Sequence, residues 1–516
     1  MADEMFETAE TAIKAGDIDP TSIESKETRK GNAVLWFFYD AADTYFSQLI
    51  LSLAYSPFAL LLGIKLGWSY TESFLVMSAF MAFSNLLIAI FGPVLGSFSD
   101  TLGKRKIAVI ISAGIMIGTT AAISGVALLL KPEISDAWQN DFVYWMTSIF
   151  FVIANFCYQA GRMFYDAQIP FVAKTEERSV TQAIGGSLAF LGSVLAVVTN
   201  MVVVGILGKP THADTAIWID EGIDPNAVKF GALPWLFIIG AVIILIMSIP
   251  YLFHKEVENP KKISTKENFK QSFQTFRTTG KEILKDKNSI LFFLSWFFIT
   301  DAANTAILYM AVVIQGAVGY GTDETNYVIF AGIGGSLIFA ILTGFFMKRY
   351  GPKLSFIVNG AAWAIAIIII MFAGLIFNVT VVGNITYIGM LPQWIMFVGA
   401  FFIGVGFGGI WIIGRQFIMV LAPPQKLAQY GGFQKIAGRV SAIVSPLLFS
   451  GTMFLFTRVF SESHNPVHFA YRAALGQLLL FFIIGVILLF FIRDPHKRYL
   501  TGERAPYPGI YDKKKK

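Results

Sequence analysis

Long apolar blocks broken by short polar stretches set the pattern of this chain. Many of them run 18 or more residues without a charge, enough for a helix rising ~1.5 Å per residue to cross a bilayer core of about 30 Å. Twelve are predicted, over 33–63, 72–98, 107–130, 142–170, 179–206, 231–252, 289–318, 325–347, 354–377, 393–414, 429–457 and 469–492. Barrel strands would be about half as long and would alternate apolar with polar positions. The pattern therefore predicts an all-α protein integral to the membrane.

The pattern also repeats. Asp40-Ala41-Ala42-Asp43-Thr44, in the first block, returns 261 residues later as Asp301-Ala302-Ala303-Asn304-Thr305. Gly96, Asp100, Gly103 and Lys104 return in form as Gly344, Lys348, Gly351 and Pro352-Lys353, and Gly161-Arg162 as Gly414-Arg415. Parallel duplicated halves are a common construction of secondary transporters, with the substrate site between them near the bilayer midplane. The predicted division is a tail over 1–32, six-helix bundles over 33–252 and 289–492, a linker over 253–288 and a tail over 493–516. The linker reads as a solvated joint with a surface helix over 269–284; a regulatory or lipid-headgroup site is the alternative.

Composition narrows the function classes. The chain is 55% hydrophobic and 14% charged, against about 25% charged in soluble domains. Outside the blocks, 31 Lys and Arg fall on the side of both termini and five on the other. Basic loops mark the cytoplasmic face, so both termini are expected in the cytoplasm and the protein in the cell membrane. Residues 1–30 carry eight acids and four bases with no apolar core, which reads as a cytosolic tail and not a signal peptide. The net charge of +6 is distributed by membrane side, so no nucleic-acid partner is expected.

Cys157 is the single cysteine, which excludes an internal disulfide and any multi-cysteine metal site. The five histidines lack ligand spacing, so neither metal nor cofactor is expected. There is no Gly-x4-Gly-Lys-Ser/Thr loop to hold ATP. Nor does a Ser/His/Asp set lie at membrane depth, and the chain is not expected to be an enzyme.

The candidate chemistry lies in charges inside the blocks, each of which costs about 2.5–3.5 kcal/mol at mid-depth and marks function by default. Asp43, Asp301 and Arg439 lie roughly 15, 18 and 15 Å into their helices at ~1.5 Å per residue, near the midplane. Asp40 shares a face with Asp43 at i,i+3, and Lys435 with Arg439 at i,i+4. Two close carboxylates cannot both carry charge cheaply in a low dielectric, which is what a proton-coupling site requires. Asp43 or Asp40 is thus expected to carry the proton. Arg439 would compete for the carboxylate or hold an anionic substrate group. A fixed Asp–Arg–Asp network serving helix packing is the alternative, although packing alone could be met by apolar residues.

Arg162 and Asp166, one turn apart, are expected to pair with each other as a gate, and Arg472 to snorkel at the outer end of the last block. Among the polar residues at depth (Asn85, Asn155, Gln159, Gln182, Asn304), Gln182 and Asn304 are selected as cavity-lining. Gly404, Gly406, Gly408 and Gly409 read as close helix packing through small residues. Trp363, Trp394 and Trp411 could line a cavity, with Trp394 equally an interfacial anchor.

The stretch Gly96-Ser97-Phe98-Ser99-Asp100-Thr101-Leu102-Gly103-Lys104-Arg105-Lys106 resembles the signature loop of the major facilitator superfamily. Its glycines permit a tight turn. Asp100 can cap a helix N-terminus or pair with a base, so with Lys104 and Arg105 it would latch one conformation. The second copy departs, with Lys348 in the acid's place. Tyr39-Asp40-Ala41-Ala42-Asp43-Thr44-Tyr45 resembles the helix-1 motif of the vacuole-effluxer-like branch, usually Tyr-Asp-Trp-Ala-Asn-Ser-Ala. Phe164-Tyr165-Asp166-Ala167 with Ile169-Pro170, Gly185-Gly186 and Leu191-Gly192 are similar to its helix 4–5 segment. Pro423-Pro424, Gly431, Gly438-Arg439-Val440-Ser441 and Pro446-Leu447-Leu448-Phe449 are similar to its helix 11 pattern.

This resemblance covers roughly 35–495. It implies a major facilitator fold of two parallel-related six-helix bundles that alternate access by rocking, and a branch activity proposed as amino-acid efflux from fungal vacuoles. Ala41 replaces the usual tryptophan and Asp43 the usual asparagine. The expectation is a monomeric, proton-coupled transporter of a small polar metabolite such as an amino acid. Its rivals are a uniporter whose acids bind a cationic substrate and a non-transporting sensor that depends on its tails and linker.

Overall fold

In the computed structural model, the described residues are 30–102, 105–129, 137–166, 168, 178–207, 229–255, 278, 280–382, 385–422 and 427–493. Their helices are α1 (Val34–Lys65), α2 (Tyr70–Leu102), α3 (Arg105–Ala127), α4 (Ala137–Asp166), α5 (Arg178–Leu207), α6 (Leu233–Leu252) and α7 (Lys287–Val318). α8 (Thr322–Gly344), α9 (Tyr350–Phe372), α10 (Ile395–Leu421), α11 (Leu427–Val459) and α12 (Pro466–Phe490) follow. Each of the twelve is long and apolar enough to cross a membrane, and each overlaps its predicted block, with α10 running on past 414 to Leu421. An even number of crossings brings residues 30 and 493 out on one side, the terminal side, opposite a distal side. The linker expectation over 269–284 falls mostly outside the described residues.

Within the first half, α1 packs on α5 and α6, and α3 on α4 and α6; within the second, α7 packs on α11 and α12, and α10 on the α8–α9 pair. The halves meet through α2 on α11, α5 on α8, and α1 on α7. Both motif-bearing helices widen distal to the motif, α1 into a π-helix over Ser47–Tyr55 and α7 into a π-turn over Ile314–Val318. Pro57 supplies no N–H to the turn before it. There the Ser56 hydroxyl donates to Leu51 O at 2.8 Å and to Leu308 O of α7 at 3.0 Å. Gly351, at φ 82°, makes the turn between α8 and α9.

The duplication extends to helix ends. Lys106, at the start of α3, donates to Leu252 O and His254 O at the end of α6, both at 2.7 Å. Lys353, at the start of α9, donates to Phe490 O at 3.1 Å and Ile492 O at 2.6 Å beyond α12. Each ammonium thus meets the exposed carbonyls and negative dipole end of the last helix of its half.

The glycine run in α10 packs as expected. A Cβ at Gly404 would strike Gly332 O, and one at Gly408 would strike Ser336 O, both on α8. Gly404→Leu is expected to separate these helices at a cost of at least the ~1–3 kcal/mol of overpacking. It should show as a lowered melting temperature or lost monodisperse yield, with Gly451→Leu, open within 4 Å, unaffected. Trp363 is buried with Nε1 on Ile403 O at 2.6 Å, so it serves packing and does not line a cavity; Trp394 is 63% exposed, as an anchor would be.

Two expectations are corrected. The segment after α9 forms an antiparallel hairpin, β1 (Ile376–Val382) and β2 (Ile385–Met390); its apolar residues run on from the block, which hid the strand from a length-based reading. Arg472 does not snorkel. It is buried, and its Nη2 donates to Ala317 O and Ala373 O, both at 2.6 Å, at the ends of α7 and α9. Unpaired helix-end carbonyls lie closer than water does.

Candidate functional site

Asp40 and Asp43 sit one turn apart on α1, and two neighbouring helices approach the motif through glycines. A Cβ at Gly161 of α4 would strike the Tyr39 hydroxyl, and one at Gly192 of α5 would strike Ala41 O. With α4 this close, Arg162 reaches both acids. Its Nη1 lies 2.5 Å from Asp43 Oδ2 and 3.0 Å from Asp40 Oδ1. The Asp43 side chain is 1% exposed and that of Arg162 30%, so the deeper acid is sealed while its cation is open at one edge. The second Asp43 oxygen and the Tyr39 hydroxyl are buried without a hydrogen-bond partner among the described residues.

This arrangement corrects two expectations. Arg162 and Asp166 do not pair with each other: Arg162 turns to the two anions of α1, and Asp166 Oδ2 accepts from Lys435 Nζ of α11 at 3.0 Å, across the two halves. Nor is Arg439 the cation of Asp43. It is half-buried, makes no ion pair among the described residues, and feels Tyr158, Asp166, Arg162 and Asp43 only at longer range. Position along α11 suggested Arg439, but two guanidiniums compete for one carboxylate, and the closer helix wins.

Asn155, Gln159, Arg162 and Asp166 form a polar stripe down one face of α4 at helical spacing. Gln159 Nε2 donates to Asn85 Oδ1 at 2.7 Å, Asn155 Nδ2 to Ser84 Oγ at 2.5 Å, and Asn85 Nδ2 to Ala442 O of α11 at 3.1 Å. The three polar residues passed over in the sequence are thus wired together and to the opposite half. Tyr158 was missed outright. It stacks on Phe46 at 5.1 Å and shares a field with Asp43, Arg162 and Arg439; its place one turn before Arg162 was the available signal.

In the second half, Asp301 is buried in α7. Ser445 Oγ of α11 donates to Asp301 O at 2.8 Å and also pairs with the Thr305 hydroxyl. Asn304 Nδ2 reaches Gly438 O at 3.4 Å and Ser441 Oγ at 3.5 Å. The structure does not bring Asp301 to the Arg162 cluster. Of the remaining candidates, Gly96 and Asp100 lie on the helical backbone of α2, Arg105 starts α3 half-buried, and Gly103 and Lys104 fall outside the described residues. The Asp100 and Gln182 side chains also lie outside them.

Between the halves, the distal side is closed. Lys229 Nζ meets Asp323 Oδ2 at 2.8 Å, Asn200 Nδ2 meets Asn326 Oδ1 at 2.8 Å, and the Tyr70 and Tyr471 hydroxyls meet at 2.7 Å. Below them Phe74, Tyr309, Phe449 and Tyr471 pack as one aromatic cluster, Tyr309 donating to Ser78 at 2.7 Å. The half-open edges of Arg162 and Asp166 lie near the terminal-side end of α4 instead. The site thus sets two carboxylates against one shared guanidinium, with Arg439 making no ion pair among the described residues. Among the described residues no three or more His, Cys, Asp or Glu gather as a metal centre.

Comparison with known proteins fits this architecture. The family model described as Major Facilitator Superfamily matches residues 44–446. An uncharacterized MFS-type transporter of Bacillus subtilis, YxiO, is 24% identical over 92% of this chain and 97% of its own length. Autophagy-related protein 22 of Eremothecium gossypii is 20% identical over 59% of each chain. The crystal structure of a D-xylose-proton symporter superposes with a TM-score of 0.64 at 14% identity, covering 90% of this chain and 98% of that one. That of the nucleoside transporter NupG gives 0.56 at 13%, covering 91% and 99%.

Proposed function

The chain belongs to the Major Facilitator Superfamily, so it is a multi-pass membrane transporter that works by alternating access; from that premise we propose that it couples protons to the movement of a small zwitterionic or anionic metabolite, an amino acid in the leading case. The single observation that carries this reading is the sharing of Arg162 between Asp40 and Asp43. One guanidinium balances one carboxylate, leaving the other to take up and release a proton. Asp43, sealed and with one free oxygen, is the proton carrier; Asp40 is its more exposed relay. Arg439 offers the substrate's carboxylate a charged, forked donor, with Asn304 and Tyr158 beside the path. Autophagy-related protein 22 in fungi and the proton symporter bear on substrate and coupling by likeness only.

Alternation moves residues 33–252 against 289–492 as two bodies. The signature loop (Gly96, Asp100, Gly103, Lys104, Arg105) closes the terminal side when the distal contacts part, adding to the Asp166–Lys435 bridge that already spans the halves there. With both termini cytoplasmic, as the basic loops imply, the site faces the cytoplasm in this conformation. The protein acts as a monomer in the cell membrane.

The test is proton flux in proteoliposomes carrying the purified protein, challenged with pooled amino acids. A substrate-triggered collapse of an imposed pH gradient supports the proposal. Uptake with no proton movement sinks the coupling and favours uniport. Silence across the pools favours the sensor reading, which should then respond to removal of the tails or linker.

A further inference from the structure

The two copies of the repeat treat their acids differently. In the first copy the buried carboxylates share Arg162. In the second, Asp301 stands where Asp40 does and Arg415 where Arg162 does. Yet Arg415 is exposed, and its charge acts on Asp40 and Asp166 in the opposite half. Among the described residues no charged group acts on Asp301. Its residue is 1% exposed, and both carboxylate oxygens are buried with the Ser445 hydroxyl beside them. A bare carboxylate at this depth would pay a desolvation penalty of several kcal/mol, so a proton or a cation from solution is expected to neutralise it.

We propose that Asp301, with the hydroxyls of Thr305 and Ser445, binds one sodium ion in place of the arginine that the first copy provides. A single carboxylate balances a single positive charge, and every neighbouring ligand is oxygen, the donor that hard cations take. Ser445 Oγ is held 2.8 Å from Asp301 O and against the Thr305 hydroxyl, which lies one helical turn along the same face. A proton is the weaker occupant. It would neutralise the acid through one O–H bond, whereas an ion uses the carboxylate and the hydroxyls together. Among the described residues no three or more His, Cys, Asp or Glu gather there, as a divalent centre of several anionic ligands would require.

The inference stands apart from the proton reading, because it is read from binding without transport. Radioactive sodium binding to the purified full chain in detergent should be saturable, displaced by cold NaCl and untouched by choline chloride. Asp301→Asn should abolish it. Ser445→Ala should weaken the affinity by about tenfold or more, as loss of supporting ligands does. Sodium should also raise the melting temperature of the wild-type protein and not that of Asp301→Asn. Binding that persists in Asp301→Asn would overturn the assignment. So would a melting temperature that follows pH through Asp301 while ignoring sodium, since the occupant would then be a proton. If Asp301→Asn fails to fold, Ser445→Ala decides, and wild-type affinity there rejects the site.

Discussion

Asp43→Asn is expected to reduce substrate-triggered proton flux to the level of protein-free liposomes while leaving the protein folded. The substitution keeps the shape of the side chain and removes its charge, so Arg162 keeps Asp40 as its anion at 3.0 Å. An amide cannot load or unload a proton, which uncouples the transporter without removing its substrate contacts. Exchange of labelled for unlabelled substrate across the membrane should therefore survive, because exchange needs alternation but no net proton release. Accumulation against a gradient should vanish. The two measurements together separate coupling from binding. Proton flux that persists in Asp43→Asn would transfer the carrier role to Asp40, and loss of exchange as well would place Asp43 in the substrate path.

Arg162→Leu should be the most destabilising single substitution in the site. It leaves two buried carboxylates facing each other without a cation, and orphaning one partner of a buried ion pair costs about 3–5 kcal/mol. Melting temperature and monodisperse yield in detergent should both fall steeply. The diagnostic is recovery: Arg162→Leu combined with Asp40→Asn and Asp43→Asn should regain much of the lost stability, because the orphaned charges are gone, and should remain inactive. Additive losses with no recovery would mean that Arg162 acts through packing alone. Arg439→Leu provides the contrast. Having no ion pair among the described residues, it should cost far less stability than Arg162→Leu, because no buried anion is orphaned, while abolishing transport of a carboxylate-bearing substrate. A stability loss as large as that of Arg162→Leu would restore Arg439 to the role that its depth in α11 suggested.

Much of this protein is local information. A run of apolar residues long enough to cross the bilayer is a property of the run itself, so twelve spans, their order and the even number of crossings could be read without any contact. The same holds for the internal repeat and for the acids of α1 and α7, whose depth follows from helical rise. The glycines of α10 were legible for a related reason: small residues at close spacing have few uses inside a membrane other than close packing.

Pairing was not local. Whether Asp43 is served by Arg162 or Arg439 depends on how α4 and α11 are rotated and how near each comes to α1. For α4 that approach is set by Gly161 under Tyr39, residues far apart in the chain. Arg472 was misplaced for the same reason, its partners being the ends of two other helices, and the hairpin after α9 merged with an apolar block that length alone could not divide. Sequence fixes what a helix buries, because hydrophobic transfer is summed along the segment; tertiary packing decides which charge meets which, because an ion pair inside a membrane is settled by distances of a few ångströms between helices.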